Sequence, residues 1–139
     1  MDLLREAGLN GEKPINTPFP CGLKLTDEEG ESLQQPDVYR RLVGRLLYLS
    51  LSRPDISYYV QHLNQFVTKP NSFHLRAAHH TLAYLKGTLN YSLFYPVQQQ
   101  LNLTGFTDSD WAGCLMTRKS LTGFCIFLGH SLTSWKTKK

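Results

Sequence analysis

The sequence predicts an α+β chain, in which a helical segment is followed by an antiparallel sheet. Three observations carry this. Residues 36–88 repeat apolar side chains at intervals of three and four, the period of an amphipathic helix. After Gly87 that period is lost. Residues 101–136 instead hold short apolar runs rich in Phe, Thr, Ile and Leu, separated by polar or glycine-bearing turns, as strands do.

A chain of 139 residues suits one domain or two small halves. Its hydrophobic share of 41% and charged share of 19% allow a buried core and exclude compositional disorder. No run of 18 apolar residues occurs, so no helix is long and apolar enough to cross a membrane. The opening Met1–Leu9 carries Asp2, Arg5 and Glu6, unlike a signal peptide. Cys21, Cys114 and Cys125 are odd in number and far apart, with no C-x-x-C pair. Free thiols in a reducing compartment are expected, not a zinc knuckle or a disulfide framework. Charge is distributed unevenly. Residues 1–35 hold seven acids and three bases, whereas residues 36–139 hold twelve bases and four acids. A basic bias of that kind favours a polyanionic partner, although many basic surfaces have none.

Taken in order, Met1–Leu9 reads as the tail of a helix stopped at Gly8. Residues 10–36, with Pro14, Pro18, Pro20 and the acidic run Asp27-Glu28-Glu29, read as a connector or extended arm and as a boundary. Leu23-Lys24-Leu25 offers one short strand. The first long helix buries Tyr39, Leu42, Val43, Leu46 and Leu49, with Pro36 and Asp37 suited to its first turn. Its opposite face carries Arg41, Gly44, Arg45 and Tyr48. Gly44 weakens a helix by about 1 kcal/mol relative to Ala. Two uses stay open: close approach of another backbone, with the arginines meeting phosphates, or a helix packed over the glycine with the arginines solvated.

Arg53-Pro54-Asp55 breaks the chain and starts a second helix, marked by Ile56, Tyr59, Val60, Leu63, Phe66 and Val67. Lys69-Pro70-Asn71-Ser72 ends it and caps a third, which uses Leu75, Ala78, Leu82 and Leu85 and stops at Gly87. His62, His74, His79 and His80 lack metal-ligand spacing and read as structural or surface residues. Tyr91–Tyr95 is a short strand expectation, and Pro96–Gln100 a polar linker. Strands follow at Leu101–Asp108, Thr122–Leu128 and Leu132–Lys136, with a loop at Arg118-Lys119-Ser120 and a turn at Gly129-His130-Ser131. The result is a three-stranded meander with an uncovered apolar face.

The stretch with chemistry is Thr104-Gly105-Phe106-Thr107-Asp108-Ser109-Asp110-Trp111-Ala112-Gly113. Side-chain alternation puts Asp108 and Asp110 on one face. Two carboxylates at a strand end suit a hard cation such as magnesium. Equally, aspartates near a turn often cap local backbone N–H groups.

Several blocks together resemble one family. Tyr39–Leu49 followed by Ser52-Arg53-Pro54-Asp55-Ile56, then His74–Ala78 and Tyr84–Thr88, then Thr107–Gly113, Arg118–Gly123 and Ser134-Trp135-Lys136, resemble the copia-type LTR retrotransposon Pol polyprotein beyond its polymerase core. The resemblance covers nearly the whole chain. It implies that residues 1–35 are the end of the reverse-transcriptase palm and a connector. Residues 36–95 would be thumb or connection helices, and residues 101–139 the first strands of an incomplete ribonuclease H-like sheet. It further implies that Asp108 is that site's first metal-binding and catalytic aspartate, and Asp110 a second, weaker acid. Nucleic-acid contacts would come from Arg41, Arg45, Tyr48, Arg53, Arg76 and Lys86. The implied cofactor of the intact parent is magnesium or manganese. The implied partners are an RNA–DNA hybrid or template-primer duplex and the remainder of the Pol polyprotein, with no membrane. The setting would be intracellular, in cytoplasm or nucleus.

The chain departs from the family pattern in its acids. It has no Asp-Asp pair for a polymerase, and no Glu after Glu31 for a ribonuclease H. Two metals about 4 Å apart need several converging carboxylates. The sequence therefore leads to a Pol fragment incapable of either reaction alone, whose parent synthesises DNA from RNA and degrades the hybrid. The alternatives are a non-enzymatic nucleic-acid-binding remnant and a functionless relic.

Overall fold

The computed structural model describes residues 8, 11, 13–20, 22–26, 30–97, 100–110 and 119–138. The expected helix tail at Met1–Leu9, the Asp27-Glu28-Glu29 run, Cys21 and Cys114, and Trp111 to Arg118 of the two motifs lie outside the described residues, Gly8 excepted.

Helix α1 spans Pro36–Leu49 and begins at the proline, whose missing N–H costs nothing in a first turn. Tyr39, Leu42, Val43 and Leu46 form its buried face. Tyr39 fills the core with its ring and satisfies its hydroxyl by donating to the Leu63 carbonyl at 2.8 Å. Burial pushes that phenol far above its ordinary range.

The second helix is shorter than its periodicity predicts. A 3-10 turn at Pro54–Ile56 opens it, and α2 runs only over Ser57–Asn64. The N–H groups of Gln65 and Phe66 bond to the carbonyls of His62 and Leu63, three residues back. This tightened end stops the α-helix, so Phe66 enters the core from a turn.

Helix α3, Ser72–Gly87, starts with a capping box in which histidine takes the place of the usual Glu or Gln. The Asn71 side chain accepts from the His74 N–H at 3.0 Å, and His74 Nδ1 accepts from the Asn71 N–H at 3.1 Å. His74 Nε2 faces the Thr26 carbonyl at 3.0 Å and so carries the ring proton. His74 is fully buried, which bears out its structural reading.

The three helices close one apolar cluster, centred on Val43, Leu46, Ile56, Val60, Leu63 and Leu82. The proline-rich arm joins it. Leu25 is buried in the cluster, and Phe19, Leu23 and Leu33 pack against it. Ile15 N–H bonds to the Ala83 carbonyl, and Thr81 Oγ1 donates to the Pro18 carbonyl at 2.9 Å. The arm is thus laid along α3. The strand expected at Leu23-Lys24-Leu25 is absent, because these residues spend their contacts on the helices.

The sheet is an antiparallel meander in the order β1-β2-β3, with β1 Leu103–Ser109, β2 Thr122–Leu128 and β3 Ser131–Lys138. Gly129 takes φ +59° in the β2–β3 turn, a conformation glycine adopts without strain. A register shift between Ile126 and Phe127 leaves Thr133 without an opposite residue. This bulge puts Leu132 and Trp135, three residues apart, on one face. Phe106, Cys125 and Trp135 form one row of that face, and Asp108, Gly123 and Thr137 the next.

That face meets the helices at its β3 side. Trp135 Nε1 donates to the Ser50 carbonyl at 3.0 Å, and Ser57 Oγ lies 3.4 Å from Thr137 Oγ1. Away from β3, Phe106 stays exposed on this face, and Leu103 and Phe124 are exposed on the opposite one, in keeping with the expected uncovered sheet. No strand forms at Tyr91–Tyr95; the segment is irregular, and the Tyr95 hydroxyl donates to the Leu132 carbonyl of β3 at 3.0 Å. Its aromatic and β-prone composition found no neighbouring ladder to join.

Candidate functional site

The two aspartates of the sequence motif sit at the end of β1 nearest α2, and their environments differ. Asp108 is exposed in β1, opposite Gly123, with its carboxylate open to solvent. Asp110, just past the strand, is half-buried. Its N–H donates to the Leu121 carbonyl at 3.1 Å, and its Oδ1 accepts a short hydrogen bond from the Leu121 N–H. Its Oδ2 accepts from the Tyr58 hydroxyl at 3.2 Å. Burial, followed by the charge of Asp110 and its hydrogen bond, raises the Tyr58 phenol above its ordinary value; Asp108 adds to this from further away. Tyr58 had no signal in the sequence beyond its place near the start of a helix.

A divalent cation is the group that the family resemblance implies here. Asp108 offers a solvent-facing carboxylate, but both oxygens of Asp110 already accept hydrogen bonds. Among the described residues, no group of three or more His, Cys, Asp or Glu side chains converges. These residues therefore do not fit a two-metal centre, which needs several carboxylates around both ions.

The basic residues fall into separate places. Arg41 and Tyr48 are exposed on the outer face of α1, Tyr48 to 79%, with Arg45 half-buried between them. Gly44 lies on the same face, and nothing stands within 4 Å of where its Cβ would be. No described segment packs over this glycine. Of the two uses open to it, packing beneath another helix is therefore not met within the described residues.

Beside Gly44 a cleft of about 480 Å³ is lined by Arg40, Leu47, Asn64, Val67 and Thr68. Arg40 bounds it by bonding to Asp37 at 2.9 Å and to the Val67 carbonyl at 2.9 Å. Arg76 is exposed on α3, its guanidinium 4.9 Å from the Phe73 ring centroid. Lys86 is half-buried in the last turn of α3.

Arg53 differs from the others in the expected contact set. It is only 8% exposed. Nε and Nη2 hold the Asp55 carboxylate at 2.9 and 2.7 Å, Nη1 donates to the Thr88 carbonyl at 2.9 Å, and Nη2 also reaches the Thr88 hydroxyl at 2.7 Å. Its donors face inward, so its place is that of a structural tie. The Arg-Pro-Asp spacing was the available signal, since a bidentate pair can close around a rigid proline.

Comparison with known proteins places the segment in a family. Over 139 residues, all of the chain, it is 40% identical to the retrovirus-related Pol polyprotein from transposon RE1 of Arabidopsis thaliana and 38% identical to that from transposon RE2. It is also 41% identical, over 137 residues, to an uncharacterized mitochondrial protein of the same plant. The chain spans 10% of each polyprotein's length and 57% of the mitochondrial protein's. No family model matches it, and no solved structure matches it. The chain belongs to the retrovirus-related Pol polyproteins of transposons, as its motifs led one to expect. In those relatives the corresponding segment is continuous with the remainder of a larger polyprotein.

Proposed function

We propose that the chain is the section of a copia-type reverse transcriptase/ribonuclease H polyprotein in which a helical grip on nucleic acid passes into the first strands of a ribonuclease H-like fold. In this assignment residues 1–35 complete the palm and its exit, residues 36–95 are thumb or connection helices, and residues 101–139 open the nuclease sheet. The outer face of α1, with Arg41, Arg45 and Tyr48, holds the phosphate backbone of an RNA–DNA hybrid or template-primer duplex. Arg76 and Lys86 add positive charge from α3. Arg53 serves this grip only by fixing the helices. Asp108 is the acid the nuclease would use.

The observation that carries the proposal is the exposed carboxylate of Asp108 on a strand end that is itself docked to a basic helical unit. The poor fit of the acid set to two metals favours, for the described residues by themselves, binding without cleavage. That is the second reading, a nucleic-acid-binding segment that is not an enzyme.

Both are tested by offering the 139-residue chain a labelled RNA–DNA hybrid with magnesium or manganese, over a range of salt. The expected result is binding that weakens steeply as salt rises, with no cleavage. Cleavage that disappears in Asp108→Asn would show that further carboxylates complete the site. Absence of binding even at low salt would sink the grip.

A further inference from the structure

We infer that Asp110 is a positioning residue, which with Tyr58 forms a clasp holding the carboxylate end of β1 against α2, and that it is not a cation ligand. The geometry leaves the carboxylate no idle oxygen. Oδ1 receives the Leu121 N–H, while the Asp110 N–H bonds back to the Leu121 carbonyl. These two bonds extend the β1–β2 ladder one step beyond its last pair, Ser109 and Thr122. Oδ2 receives the Tyr58 hydroxyl, 52 residues earlier in the chain. A cation at Oδ2 would have to share that oxygen with the hydroxyl, and one bridging both oxygens would compete with the Leu121 N–H as well.

The clasp lies on the seam that also holds Ser57 to Thr137 and Trp135 to Ser50. Asp110 therefore ties both neighbouring strands to the helix at one point. Asp108, two residues earlier and on the same face, is left exposed and oriented. The clasp stands on these contacts; its bearing on cleavage rests on the function proposed above.

The test is hydrogen exchange in the full chain, read at the Trp135 indole N–H and the Leu121 amide. Asp110→Ala should speed exchange at both sites roughly five- to tenfold, the weight of a lost hydrogen bond. Tyr58→Phe should do so at the indole. Amides within α1 and α3 should stay unchanged in both variants. Asp110→Asn should restore the slow rates, since its amide oxygen can accept from Leu121 while its NH₂ donates to the Tyr58 oxygen. Asp108→Asn should leave the exchange rates at both sites as they are.

Unchanged indole exchange in Tyr58→Phe would overturn the clasp. So would an Asp110→Asn variant as fast as Asp110→Ala, because the hydrogen bonds that Asn can still make would then not be what holds the strand. If Asp110→Ala fails to fold, Tyr58→Phe, which removes one oxygen atom, decides alone. Loss of hybrid binding or cleavage leaves these rates untouched, so failure of the clasp and failure of the functional assignment are separable.

Discussion

Arg53 and Thr88 are joined across 35 residues of chain, with Nη1 donating to the Thr88 carbonyl at 2.9 Å and Nη2 to its hydroxyl at 2.7 Å. The same guanidinium grips Asp55, whose Oδ2 also accepts from the Tyr84 hydroxyl at 2.8 Å. One side chain thus locks the break before α2 to the end of α3. Replacing Arg53 with Met should cost about 3 kcal/mol, because it strands a partly buried carboxylate and a buried carbonyl. Lys should recover only part, lacking the planar fork. Urea unfolding followed by helical circular dichroism measures this; a loss below about 1 kcal/mol would contradict the lock.

The same network sets an acid limit on stability. Burial by itself lifts the Asp55 carboxyl, but hydrogen bonds from Arg53 and Tyr84 outweigh it and hold it below the ordinary carboxylate range. A folded-state pKa below the unfolded one, about 3.9, stabilises the fold fully above that pH. The contribution is lost as pH falls through the folded value. Asp55→Asn should therefore be less stable at neutral pH and show a shallower decline below about pH 4. Parallel acid limbs for the two proteins would exclude this role.

Gly44 stands in a helix interior with open space at its missing Cβ. Gly44→Ala should raise stability by about 0.5–1 kcal/mol. If the glycine admits a phosphate backbone, the same variant should weaken hybrid binding while the protein becomes more stable. Thermal unfolding and a binding isotherm on one preparation separate the two effects. Equal affinity with higher stability would mean the glycine serves no contact.

Charge removal on α1 should act on the salt dependence. Replacing Arg41 and Arg45 together with Ala should reduce the slope of log affinity against log salt by about 2, close to one unit per lost phosphate contact. Arg41→Ala alone, at an exposed position, should change stability little. An unchanged slope would move the nucleic-acid face elsewhere.

The helices were legible because burial of one stripe writes a period into the sequence, and Tyr39, Leu42, Val43 and Leu46 keep it without a break. The meander was legible because Thr122–Leu128 is continuously apolar and bounded by turn residues. Two expected strands failed. Leu23–Leu25 and Tyr91–Tyr95 have strand composition, but pairing needs a free neighbour, and composition does not say where one stands. The third strand also hid its bulge: simple alternation puts Leu132 and Trp135 on opposite faces, and only the pairing shows that Thr133 is skipped. At the candidate site, Asp108 and Asp110 could be picked out, but their difference could not. It depends on Tyr58 and Leu121, far away in sequence. Arg53 looked like a surface cation for the same reason, since its partner Thr88 lies beyond two intervening helices.

The principal apolar cluster draws on residues from Leu25 to Leu85 and on none of the three strands. During synthesis from the N-terminus, every described side chain of this cluster has therefore been made before Leu103 is added. The helices can close while the strands are still inside the ribosome, and the strands then emerge onto a finished surface that already presents Ser50, Ser57 and Tyr58. The meander's orientation is thus templated by what precedes it. A nascent chain stalled far enough beyond Gly87 for α3 to have left the exit tunnel, with the strand residues still inside it, should already resist protease over its helices, with assembly proceeding in one direction along the polypeptide.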